Sequence, residues 1–197
     1  MNLLTIADYI STFPLSFYFT TIYIIISNLK NIEQQTEYPI LLLGLIISSL
    51  IVKFFKSIDI KKDFIYRPKQ ASYCDYLSKN KNSKIMGFPS GHMSSTALFA
   101  TFMILLRFYK KYQKPNNSLQ EQKKNNQTLV EEFIKNDYLH IIINLLLIIL
   151  VGWARYYKYC HTSLQIIVGT ILGIILGIIF FIIFQKIDQK INNNQKQ

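Results

Sequence analysis

The chain has 197 residues, half of them apolar, and a formal net charge of +11 from 22 Lys and Arg against 11 Asp and Glu. The apolar half gathers in long Ile-, Leu-, Phe- and Val-rich runs. That excludes an ordinary water-soluble domain, because such runs approach the roughly 20 apolar residues a helix needs to cross a bilayer core. The basic residues fall in short stretches between the runs, which argues against nucleic acid and points to anionic headgroups or an anionic substrate.

The first nine residues lack a basic start, and no small-residue cleavage site follows the first apolar run, so that run is expected to stay as a helix. It covers residues 10–29, with Pro14 in its early turns, where a helix tolerates proline. Further spans are expected over 39–55, 90–109, 139–157 and 162–185. The third is the most polar, because its first turns hold Ser94, Ser95 and Thr96. Small hydroxyl residues suit a helix enclosed by others. The fifth carries Gly169, Gly173 and Gly177 at four-residue intervals, a smooth face for packing within the monomer or for a homodimer. The expected fold is all-α: one membrane-embedded bundle of about five transmembrane helices over residues 1–197. Three polar segments accompany it: a loop over 56–87, a flexible, low-information loop over 110–137, and a tail over 186–197.

Successive spans reverse direction. The end of span two, the start of span three, the end of span four and the start of span five therefore share one membrane face. Three blocks fall there. The first holds Lys61, Lys62, Arg67 and Pro68; the second is Pro89-Ser90-Gly91-His92; the third is Arg155, His161 and Gln165. Ser90 is a good helix N-cap. The unpaired N–H groups of a first helical turn bind phosphate, and Gly91 lets the backbone approach an oxyanion. Arg155 offers a planar donor fork suited to phosphate. His161 and Gln165 are four apart and share a helix face. The Gln165 amide oxygen can hold one ring nitrogen of His161 and leave the other aimed at a substrate, the general arrangement of an oriented nucleophile. The third histidine, His140, starts span four on the opposite face and reads as structural.

These residues resemble the signature of the type 2 phosphatidic acid phosphatase family, which shares its site with the vanadium-dependent haloperoxidases. The resemblance covers residues 53–178. Pro89-Ser90-Gly91-His92 fits fully, and Arg155 and His161 fit in identity and spacing. Ala154 stands in place of a serine, Gln165 in place of the usual aspartate, and Ile60 seven before Arg67 in place of a lysine. Lys61 and Lys62 follow one and two residues later, and Lys61 is the favoured phosphate contact. His161-Thr162-Ser163-Leu164-Gln165 and the preceding Ala154-Arg155-Tyr156-Tyr157 resemble the dolichyldiphosphatase branch.

The resemblance implies a metal-independent, cofactor-free lipid phosphatase. His161 would form a phosphohistidine and His92 would protonate the leaving group. Arg67, Arg155, Lys61, Ser90 and Gly91 would hold the phosphate. Such a cationic cage supplies the charge that a metal would, and Asp59, Asp63 and Asp75 read as solvated loop residues. The expected substrate is dolichyl or polyprenyl diphosphate. A phosphatidate-type monoester and a weakly active lipid-phosphate binder are the alternatives.

A cysteine phosphatase would need an arginine six residues after Cys160, where Ile166 stands. Cys74 and Cys160 share the motif face, so one bridge is open to them if that face is oxidising. Lys and Arg divide evenly, eleven on each face. Setting aside those expected to meet phosphate puts the motif face on the lumenal or extracytoplasmic side, with the endoplasmic reticulum as the expected membrane. Asn116 and Asn126, in glycan-acceptor patterns, fall on the other side.

Overall fold

A computed structural model of the protein describes residues 2–28, 35–58, 63–71, 74, 86–113 and 126–194. Five long helices follow one another: α1 (Leu3–Ser27), α2 (Glu37–Ser57), α3 (Gly91–Gln113), α4 (Asn126–Tyr157) and α5 (Ser163–Asn194). Four of them are long and apolar enough to cross a membrane: α1, α2, the Tyr138–Tyr157 part of α4, and α5. The protein is thus an all-helical, multi-pass membrane protein.

α3 is the most polar of the five, and its position explains why that is tolerated. It lies against α1, α2, α4 and α5. Ser94, Thr96, Ala97, Leu98, Ala100 and Phe102 are fully buried along it. A helix enclosed by protein needs no lipid-facing surface, so its hydroxyls can bond inward. Ser94 Oγ meets Ser48 Oγ of α2 at 2.8 Å, and Thr96 Oγ1 donates to the His92 carbonyl at 2.7 Å. The outer helices turn large apolar side chains outward, among them Ile142, Ile149, Ile167 and Ile175, as a lipid-facing surface requires.

The three glycines of α5 face α3. A Cβ added at Gly169 would lie 2.5 Å from the Ser90 carbonyl oxygen, and one at Gly173 would lie 2.3 Å from that of Ser94. At Gly177 it would meet Thr101 Cβ at 2.8 Å. The glycine face thus serves packing within the chain, and no second copy has room on it.

Several helices overrun their expected ends. α1 begins at Leu3, α3 continues to Gln113, α4 starts at Asn126 and α5 runs to Asn194. Hydropathy marks the edge of the bilayer, but nothing in these stretches breaks a helix there. Beyond that edge at α5, Tyr109 donates to Asp188 at 3.0 Å and Asn192 donates to the same carboxylate at 3.1 Å. At this end Lys110 also pairs with the buried Glu37. The core near it is aromatic: Phe102, Phe181, Phe184 and Tyr109 form edge-to-face and tilted pairs with centroids 5.5–6.1 Å apart.

Candidate active site

At the other end, the C-termini of α2 and α4 meet the N-termini of α3 and α5. The Ser90 N–H donates to the Gln165 carbonyl at 3.1 Å. The Ser90 carbonyl accepts from the Ser94 N–H at 3.0 Å and so opens α3. Ser90 was expected to cap the helix through its side chain. Instead its backbone does so, and its buried hydroxyl makes no hydrogen bond among the described residues. At Gly91 an added Cβ would meet Val52 Cγ1 of α2 at 3.3 Å.

A tight turn brings His161 back onto Arg155. Tyr159 has φ 53°, in the left-handed region. Its N–H donates to the Tyr156 carbonyl at 2.9 Å, and the Cys160 N–H donates to the Arg155 carbonyl at 3.0 Å. That pair of bonds is the Schellman closure of a helix C-terminus, made here without glycine. The Cys160 side chain forms a disulfide with Cys74 (Cα–Cα 5.3 Å), which removes the thiol a cysteine phosphatase would use. The Arg155 Nη1 donates to the Cys74 carbonyl at 2.8 Å, so the bridge and the arginine fix the same loop.

α5 then starts with a reciprocal cap. The Gln165 N–H donates to Thr162 Oγ1 at 3.4 Å, and the Thr162 N–H donates to Gln165 Oε1 at 3.2 Å, the two bonds of a capping box. The rest of the Gln165 amide is also used. Its Nε2 donates to the Phe64 and Tyr66 carbonyls at 2.8 and 2.9 Å. With both hydrogens committed, the oxygen must face His161, whose Nδ1 lies 3.2 Å away. An amide oxygen only accepts, so Nδ1 carries the hydrogen. Nε2 keeps its lone pair and accepts with it from Arg155 Nη2 at 3.4 Å.

This network accounts for glutamine where aspartate was expected. A carboxylate could orient His161 but could not donate to two carbonyls. Gln165 ties the Arg67 loop to the His161 turn across about a hundred residues of sequence. Gly87 completes the junction: a Cβ there would stand 2.5 Å from Gln165 Oε1 and 3.0 Å from Arg67 Cγ. The Gly87 N–H donates to the Ile65 carbonyl at 2.7 Å, and Tyr66 bridges to Met86. The Phe88–Pro89 peptide that follows is cis.

Arg67, Arg155, His161 and Gln165 are all buried here. Burial holds the His161 imidazole well below its ordinary pKa. The nearby charges of Arg155, Lys56, Arg67 and His92 act in the same direction. Two histidines and two arginines singled out from sequence therefore share one end of the bundle. Lys61 and Lys62, with Asp59 and Asp75, lie outside the described residues, as do the side chain of Asp63 and residue Asn116. His140 sits apart on α4, where Asn144 Nδ2 donates to its carbonyl at 2.9 Å.

A family model, described as the PAP2 superfamily, matches residues 37–189. The chain belongs to the PAP2 superfamily. The match runs from the start of α2 through most of α5 and takes in all three motif blocks, leaving α1 outside. Membership supports a phosphatase-type function for this PAP2 chain. Compared with curated proteins and with solved structures, it matches none.

Lys56 and the carbonyls of Phe64 and Tyr66 did not stand out in the sequence, and Thr162 stood out only within the His161-to-Gln165 motif, not as a cap. Thr162-Ser163-Leu164-Gln165 does carry the capping-box pattern, so the cap was available to a sequence reader. The two carbonyl contacts are non-local and leave no sequence signal.

Proposed function

We propose that this protein is a membrane-embedded phosphatase of lipid phosphates or lipid diphosphates, with His161 as its nucleophile. The observation that carries the reading is the tautomer of His161: Nδ1 held by Gln165 and the Nε2 lone pair turned toward Arg155, from which it accepts at 3.4 Å. A buried imidazole whose Nε2 lone pair is held only by one long bond from a guanidinium, which a bound phosphate would draw onto its own oxygens, suits attack on phosphorus. His161 Nε2 bonds to phosphorus as the phosphorus–oxygen bond to the lipid breaks, and His92 gives the leaving oxygen its proton. A water then attacks the phosphohistidine, His92 takes the proton, and phosphate leaves.

Arg67 and Arg155 hold the equatorial oxygens, joined by Lys61 from the motif loop, the backbone at Gly91 and the hydroxyl of Ser90. Such preorganised charge usually supplies the largest share of this kind of catalysis. No metal or cofactor is part of the reading, because the cationic side chains carry that charge.

The favoured substrate is dolichyl or polyprenyl diphosphate, on the Thr162-to-Gln165 and Ala154-to-Tyr157 motifs. A phosphatidate-type monoester is the second reading. The decisive assay is phosphate release from dolichyl diphosphate and from phosphatidate, in chelator, by wild type and His161→Ala. Faster release from the diphosphate, abolished in the variant, is expected. Equal rates in both proteins overturn the reading, and a strict magnesium requirement counts against it.

The bridge between Cys74 and Cys160 supports an oxidising compartment at the motif face, hence a lumenal or extracytoplasmic site, with the endoplasmic reticulum favoured. Glycosylation at Asn116 or Asn126 would contradict that orientation.

A further inference from the structure

The last turn of α2 supplies a cation that the motif blocks do not include. Val52 is buried against Gly91 of α3, which docks this face of α2 on the start of α3. Lys56 is one turn further along the same face. It is half-buried, whereas its neighbours Lys53, Phe54, Phe55 and Ser57 are exposed. A lysine that merely anchors a helix at the bilayer boundary stretches its ammonium into water. Lys53 is exposed on the lipid-facing side of the turn, whereas Lys56 lies on the face that docks on α3.

From its position on α2, we infer that Lys56 binds a non-bridging oxygen of the substrate phosphate. The inference rests on the function proposed above and adds a residue to it. The ammonium meets the phosphate from the α2 side, while Arg155 approaches from α4 and Arg67 from the loop after α2. The charge of Lys56 also acts on His161, together with those of Arg155 and Arg67, as its place one turn beyond the Val52–Gly91 contact leads one to expect. A phosphate group carries a charge of about −1.5 to −2 near neutral pH. An ammonium at this end of α2 meets it with a charge-assisted hydrogen bond.

The test is the affinity of detergent-solubilised full-length protein for inorganic phosphate, by titration calorimetry at low salt, alongside kcat/KM on a lipid phosphate. Lys56→Met is expected to weaken phosphate binding about tenfold or more, the scale of a lost bond to a charged group. It is expected to lower kcat/KM at least as much. Lys56→Arg should recover most of the affinity, and Lys53→Met should match wild type. Wild-type phosphate affinity and kcat/KM in Lys56→Met overturn the inference, and His161-dependent hydrolysis in that same case leaves the phosphatase reading standing. Phosphate binding that depends on Lys56 in a protein that hydrolyses no lipid phosphate sinks the phosphatase reading and keeps a Lys56 phosphate site. A wild type that binds no phosphate and whose kcat/KM is unchanged in Lys56→Met overturns the inference, and the phosphatase reading then stands or falls with the hydrolysis assay.

Discussion

The two ends of the helical bundle are built from different materials. At one end the core is aromatic, with Phe102, Phe181 and Phe184 packed on Tyr109, and the polar groups there close on each other: Lys110 with Glu37, Tyr109 with Asp188. At the other end the buried groups are Ser90, Arg155, His161 and Gln165, joined by backbone carbonyls and a disulfide. α3 and α5 pass through both ends, and their close, glycine-lined contact joins the two. If the proposed function holds, the difference separates stability from chemistry along the helix axis. The aromatic end holds the helices together, and the polar end can then keep buried polar groups aimed at a ligand.

The largest expected effect lies at the aromatic end. Phe102 is fully buried against Phe181 and Phe184, so Phe102→Ala should cost about 3–5 kcal/mol of stability. The fraction that remains folded should retain its kcat. A folded variant with lost activity would show that the two ends are not separable.

Gln165→Glu is the converse change. A carboxylate would face the Phe64 and Tyr66 carbonyls in place of a donor, so two bonds become repulsions. Activity should fall about 100-fold, the scale of a misplaced reacting group, with a smaller stability loss of about 1–3 kcal/mol. Unchanged activity would mean that the amide's hydrogens do not set the geometry of His161.

The pH dependence sharpens the same contrast. Burial lowers the folded-state pKa of His161, so below about pH 6.5 the unfolded chain binds more protons at this residue than the folded one. Its contribution to stability is fully present above about pH 6.5 and is lost as pH falls toward the lower folded value. Melting temperature should decline below that point in wild type and decline less in His161→Gln. Identical profiles would place His161 in water.

The smallest effect is at the α4–α5 turn. Tyr159→Gly relieves a left-handed φ of 53° and should raise melting temperature by about 1–3 °C, because relief of about 1 kcal/mol is offset in part by glycine's greater unfolded freedom. A fall would mean that the tyrosine side chain contributes more than its backbone costs.

Much of this was legible in the sequence because it is local. Apolar runs gave the helices, and the four-residue spacing of His161 and Gln165 gave their hydrogen bond. The glycine face was legible in pattern, with its partner left open until α3 was seen against it. What escaped detection is non-local or lacks a composition signal. Tyr159 closes a turn that glycine usually marks. Gln165 in place of an aspartate has its physical reason only in its two distant carbonyl acceptors. Lys56 lies eleven residues before Arg67, and only the packing of Val52 on Gly91 brings its turn to the start of α3. Helix ends were misjudged because hydropathy reports where lipid stops, and helix propensity does not stop there.

The central claim is that His161 Nε2 takes the phosphoryl group. Labelled lipid phosphate, rapid quenching and peptide mapping test it directly in detergent. The account predicts label on His161 in wild type, none in His161→Ala, and a folded but inactive variant. Label on another residue, or turnover at the wild-type rate in His161→Ala, would contradict it.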